Sequence, residues 1–115
     1  MTFSPEFCDH ILDLLAPLGA VRSKPMFGGA GLYLDGVMIA LIAEDTLFFK
    51  VDNTNRAEFE ALGLPPFVPF PDKPYAMSYY QAPDDALENS EDLCAWARNA
   101  WEAARRQKKK KGARG

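Results

Sequence analysis

Residues 31–43 read Gly-Leu-Tyr-Leu-Asp-Gly-Val-Met-Ile-Ala-Leu-Ile-Ala, and this stretch decides the fold. Asp35-Gly36 stands between two apolar runs, a pairing that suits a type I′ turn because both of its positions can take positive φ. It predicts an antiparallel hairpin with strands over residues 32–34 and 37–43. Glu44-Asp45 makes a second two-residue connection into residues 46–51, so three strands form a meander. Upstream, residues 21–26 form a less regular piece. Gly28, Gly29 and Gly31 after it are expected to permit a turn or bulge entering the hairpin, because a strand follows them where a phosphate-cradling loop would need a helix.

Working outward, Ser4-Pro5 reads as an N-cap with proline at the first helical position. Phe7, Ile11, Leu14, Leu15 and Leu18 then recur at helical spacing before Gly19, and Pro17 is expected to tighten or break the last turn. After the meander, Asp52 or Asn53 is positioned to cap a short helix through Arg56, Phe59 and Leu62, with Gly63 as its stop. Residues 64–70, interrupted by Pro65, Pro66 and Pro69, suit an edge or irregular strand, and residues 76–81 a regular one. Asn89 or Ser90 opens a last helix in which Leu93, Trp96, Ala97, Ala100, Trp101 and Ala104 share a face. The expected fold is α+β: two layers, an antiparallel sheet of about five strands, helices at both ends and one between strands.

The chain has 115 residues, 48% of them hydrophobic and 25% charged, the composition of one soluble domain able to bury a core without disulfides. No apolar run reaches the length of a membrane span, and no signal peptide is written at the start, so the expected compartment is the cytoplasm. The net charge of −3 hides an asymmetry. Seven of the 13 basic residues fall in residues 105–115, leaving six against all 16 acidic residues in the remainder. The expected division is a domain over residues 1–104 and a basic, disordered tail over residues 105–115.

Chemistry-bearing residues are sparse. His10, the single histidine, sits beside Asp9 and Asp13 and reads as part of a solvated polar face. Cys8 and Cys94 lie in helical patterns without C-x-x-C spacing and read as buried thiols. Glu44-Asp45 and Asp84-Asp85 are acids at turns. No catalytic residue, metal site or cofactor is expected.

Recognition surfaces are better marked. Counted by strict alternation, Val37, Ile39 and Leu41 share one face of their strand and Met38, Ala40 and Ile42 the other, so both faces are apolar. One of them needs cover beyond a single helical layer, from helices or from a second molecule. Met38, Ile42, Phe48, Tyr79 and Tyr80 are the candidate protein-interaction residues, and a homodimer through the sheet or its edge is expected. Arg105, Arg106, Lys108, Lys109, Lys110 and Lys111 are candidates for binding polyanions without sequence selectivity.

Met26-Phe27-Gly28-Gly29, Gly31-Leu32-Tyr33 with Asp35-Gly36-Val37-Met38, residues 47–52, Asn55-Arg56 with Phe59, and Met77-Ser78-Tyr79-Tyr80 together resemble the N-terminal domain of the TfoX/Sxy competence regulators. Their order and spacing carry the likeness, from about the first helix to Trp101. The resemblance implies a two-layer α+β fold and supplies no catalytic residues. Full-length members of that family are bacterial transcriptional co-regulators of DNA-uptake genes that work with the cyclic-AMP receptor protein and carry a second, helical domain. Here a lysine run stands where that domain would begin, so a stand-alone domain is expected. The function that follows is a non-enzymatic regulatory or adaptor domain with a protein partner of transcription-factor type. Two alternatives remain: nucleic-acid binding through the basic tail, and a small-ligand domain with a pocket between the first helix and the Gly28 to Gly31 turn.

Overall fold

The computed structural model describes residues 5–26, 29–67 and 78–113, with side chains described at neither residue 26 nor residues 108–113. In chain order the elements are α1 (Pro5–Leu15) with a 3-10 turn at Ala16–Leu18, β1 (Arg22–Met26), β2 (Gly29–Leu34), β3 (Val37–Ala43) and β4 (Thr46–Lys50). There follow α2 (Arg56–Ala61), β5 (Tyr79–Gln81), a 3-10 turn at Asp84–Glu88 and α3 (Ser90–Ala113). The five strands form one antiparallel sheet in the order β1-β2-β3-β4-β5. This is the α+β architecture that the sequence predicts.

Both tight turns of the meander take the left-handed conformation that a type I′ turn needs. Asp35 and Gly36 have φ of 54° and 81°, and Glu44 and Asp45 have 52° and 58°. The second turn uses two residues with side chains where glycine or asparagine is preferred, so it is held by the strands on either side of it. Residues 21–26, irregular by sequence, pair along β2 from Arg22 opposite Tyr33 to Met26 opposite Gly29. Pro25 fits there because β1 is an edge strand.

Gly29 and Gly31 do a different job from the one expected. Both lie inside β2, while Gly28 falls outside the described residues. A β-carbon on Gly29 would sit 1.9 Å from the backbone oxygen of Ile42, so the missing side chain lets β3 approach. The bulge falls deeper in the hairpin. Leu32 pairs with Ala40 and Tyr33 with Met38, which leaves Ile39 as an extra residue.

That bulge corrects the reading of β3 by strict alternation. Val37, Ile39, Ala40 and Ile42 all join the core, together with Leu32, Leu34, Leu47, Phe49 and Val51 from the neighbouring strands. The helices pack on this face through Cys8, Ile11 and Leu15 of α1, Phe59 of α2, and Leu93, Cys94, Ala97, Ala100 and Ala104 of α3. The two cysteines are buried free thiols. Alanines along α3 keep that helix close to the sheet, and the long side chains beside them, Trp96 and Trp101, pack at the margins.

Polar links dock α1 onto the C-terminal part of the chain. Ser90 Oγ and Cys94 Sγ donate to the Leu14 carbonyl at 2.6 and 3.3 Å, satisfying an acceptor at the end of α1. His10, expected only to face solvent, donates from Nε2 to the Leu87 carbonyl at 2.9 Å. Pro17 does tighten the end of α1, which passes into the 3-10 turn. Gly19 and Gly63 close their helices with positive φ.

Asn89 caps α3 by accepting the Asp92 amide at 3.0 Å. The residue before α2 is Asn55, in place of the expected Asp52 or Asn53. Its amide instead braces the loop, accepting from Asp52 N at 2.7 Å and donating to the Lys50 carbonyl at 3.1 Å. Of the two later extended segments, β5 covers Tyr79–Gln81, and residues 64–67, the described part of the 64–70 segment, contribute a single bridge, Pro66 to Tyr80. Ser4, residues 68–70 and residues 76–77 lie outside the described residues. The backbone of α3 does not stop at residue 104 but runs on to Ala113. Among the described residues no helix is long and apolar enough to cross a membrane.

Candidate functional site

The pairing register defines the sheet face that looks away from the helices. Arg22, Lys24, Gly31, Tyr33, Met38, Leu41, Phe48, Lys50, Tyr79 and Gln81 belong to it by their position opposite one another, and none of them is part of the helix-packed core. Arg22 and Lys24 are exposed, whereas Tyr33, Met38 and Phe48 are half-buried. Phe67 comes in beside β5, its amide donating to the Tyr79 carbonyl at 2.8 Å, and its ring lies 4.9 Å from that of Phe48.

The electrostatics of this face contrast with the rest of the chain. Among the described residues, no strand of the sheet contains an aspartate or a glutamate. Lys24 lies over the Tyr33 ring at 5.0 Å and Lys50 over the Tyr79 ring at 5.2 Å, so two cations rest on aromatic faces. Burial, and behind it the neighbouring Tyr33 phenol, pushes the Tyr79 hydroxyl up to about 12, so it stays neutral. The outer face is therefore a mixed apolar, aromatic and cationic surface on a domain that is otherwise acidic.

At the end of β4 this surface runs into a cleft. Lys50, Asp52, Thr54, Arg56, Ser78 and Arg106 are among the residues lining a hollow of about 390 Å³. A second hollow of about 260 Å³ shares Lys50 and Gln107 with it and is walled by Met38, Tyr79 and Ala104. Asp52 and Arg106 form a bidentate pair, Nε to Oδ2 at 2.6 Å and Nη2 to Oδ1 at 3.0 Å. The Arg106 hydrogen bond holds the Asp52 carboxyl down at about 2 against burial, which opposes it. Asp52 Oδ1 also accepts the Thr54 amide at 2.9 Å.

The residues singled out from sequence do not form one patch. Met38, Phe48 and Tyr79 share the outer face. Ile42 does not: it is 1% exposed in the helix-packed core, because the extra residue Ile39 breaks the parity that grouped it with Met38. Tyr80 points to the helix side, its ring 6.0 Å from Phe59 and its hydroxyl donating to Glu60 at 3.0 Å. Arg105 stacks on Trp101 at 4.6 Å, and Arg106 is engaged with Asp52. The side chains of Lys108, Lys109, Lys110 and Lys111 lie outside the described residues.

The sequence reading passed over Arg22, Lys24, Tyr33 and the cleft residues Arg56 and Ser78. Lys24 and Tyr33 meet only because β1 pairs with β2. Asp52 and Arg106 are 54 residues apart, and nothing local links them. Lys50 was legible in principle, two residues from Phe48 and so on the same side of β4. Neither of the two hollows is lined by α1 or by Gly29 and Gly31, where a ligand pocket was expected.

Residues 13–104 match the family described as the TfoX N-terminal domain. No curated protein matches the chain.

Proposed function

We propose that this chain, which belongs to the TfoX N-terminal domain family, is a competence-related regulatory or adaptor domain that docks an acidic segment of another protein on the outer face of its sheet. The observation that carries the reading is the charge of that face. Sixteen acidic residues are distributed over the chain, yet the described strands carry none, and Arg22, Lys24 and Lys50 frame Tyr33, Met38 and Phe48 there. Apolar and aromatic contact area ringed by cations suits a partner with apolar residues set among carboxylates. No constellation of nucleophile and base stands among the described residues of this face, so binding accounts for it better than catalysis. A transcription factor is the kind of partner that the family suggests, in the cytoplasm of a bacterium.

A photo-crosslinking residue at position 38, on the outer face, and another at position 58, on α2, test this in cells that make the protein. The expected outcome is a crosslinked heterologous protein from position 38 alone, lost when Lys24→Glu reverses one charge of the frame. Self-crosslinking at twice the chain mass would instead make the face a homodimer interface. Equal products from both positions would sink the reading. Nucleic acid held by residues 105–115 remains the rival, and it predicts that truncating that segment abolishes binding while Lys24→Glu leaves it intact.

A further inference from the structure

The cleft at the end of β4 has a composition of its own. Among the described residues, three cations, Lys50, Arg56 and Arg106, line its larger lobe with one carboxylate, Asp52. That carboxylate is already engaged: Arg106 takes both of its oxygens and the Thr54 amide shares one. Its depressed pKa keeps it in that role at any physiological pH. Arg106 spends two of its five N–H donors on Asp52 and keeps the others for a second acceptor. Lys50 is 7% exposed and lies over the Tyr79 ring, which places it between the two hollows. Ser78 adds a hydroxyl to the same wall.

The smaller lobe differs in kind. It shares Lys50 and Gln107 with the larger one and is walled by Met38, Val37 and the neutral Tyr79. A polar lobe whose described lining is cationic on balance, beside an apolar and aromatic one, matches a ligand with a charged head and a flat or apolar body. The larger lobe, at about 390 Å³, lies within the ~300–1,000 Å³ range of small-molecule sites, and the smaller adds about 260 Å³ beside it.

We propose that the two adjoining hollows together bind a small organic phosphate, such as a nucleoside monophosphate. Its phosphate sits between Lys50, Arg56 and Arg106, and its ring lies against Met38 and Tyr79. Arginine forks suit phosphate oxygens, and Arg106 is pre-set for the task because Asp52 fixes its plane. The site shares Met38 and Lys50 with the docking face and leaves out its Lys24, Tyr33 and Phe48. A bound ligand would therefore be a small-molecule input to the domain, beyond the docking of a protein.

Amide-shift titration of the whole chain with adenosine 5′-monophosphate, adenosine and inorganic phosphate tests it. The expected result is saturable shifts at Thr54, Ser78 and Gln107 with the nucleotide, at a Kd below ~1 mM. Binding should weaken roughly tenfold in Arg56→Gln, which removes one charged contact from a part-exposed position without opening the core. Lys50→Met should weaken it further, and should it fail to fold, Arg56→Gln still decides. The proposal is overturned if the shifts are confined to residues 105–113, or if Arg56→Gln leaves the affinity unchanged. Equal affinity for inorganic phosphate and for the nucleotide would also overturn it, because the Met38 and Tyr79 wall would then contribute nothing. Phe48→Ser is expected to leave nucleotide binding intact, so failure here and failure of the protein-docking reading are distinguishable.

Discussion

The two faces of the sheet are built from the same short strands and come out opposite in character. On the inner face Leu32, Ile39, Ile42, Leu47 and Phe49 are sealed beneath three helices, and the side chains are apolar almost throughout. On the outer face Tyr33, Met38 and Phe48 are half-buried among Arg22, Lys24 and Lys50. Neighbours along one strand, Phe48 and Phe49, show the contrast within two residues. The first leans on Phe67 at the surface, and the second is 0% exposed. Hydrophobicity alone does not separate these faces. What separates them is the register, and in β3 the register depends on one extra residue.

The largest break in that contrast comes from truncating each phenylalanine in turn. Phe49→Ala removes a fully buried ring from a close-packed core and should cost about 3–5 kcal/mol, enough to leave a domain of this size marginal or unfolded. Phe48→Ala should cost about 1 kcal/mol, since much of its surface is already wet. Urea denaturation of both variants measures the difference, and similar losses would mean that the outer face is packed as the inner one is.

A middle-sized effect tests the close approach of β2 to β3. Gly29→Ala puts a methyl group onto the Ile42 carbonyl, which cannot move without its strand, so a loss of about 1–3 kcal/mol is expected. Gly36→Ala meets nothing within 4 Å and suffers only from its φ of 81°, so it should cost about 1 kcal/mol. If the order of the two were reversed in thermal or urea melts, turn geometry rather than strand contact would dominate this hairpin.

The smallest effect concerns the brace at the edge of the outer face. Asp52 ionises near 2 in the folded chain against an ordinary 3.8, so folding favours its charged form. The stability it contributes is complete above the ordinary value and is lost as pH falls towards 2. Solvent reaches the pair and screens it, which limits its worth to about 1 kcal/mol. Arg106→Gln should therefore lower stability by about that amount at neutral pH, with the gap to the natural protein closing between pH 4 and 2. A gap that stayed constant over that range would show that Arg106 acts through packing alone.

Much of the scaffold was legible in residues 31–43. Asp35-Gly36 specified its turn because few residue pairs accept two positive φ values in succession, and the meander followed from it. The helices were legible for the same local reason: Pro5, Gly19, Gly63 and Asn89 mark ends, and apolar spacing marks the buried stripe. The candidate site was legible only in fragments. Met38, Phe48 and Tyr79 were found because they are large and apolar on strands. Lys24 and Arg56 were passed over because an isolated cation in sequence looks like any solvated charge.

Local chemistry by itself determined where this chain turns, where its helices begin and end, and the family pattern over residues 13–104. Tertiary structure decided which side each strand residue takes, because the extra residue at Ile39 shifts the alternation only once β2 and β3 are paired. It also decided which charges meet. Lys24 reaches Tyr33 across a strand pair, and Arg106 reaches Asp52 across 54 residues. Turns and caps are fixed by the preferences of two or three adjacent residues, whereas faces and clefts depend on distant segments packing together.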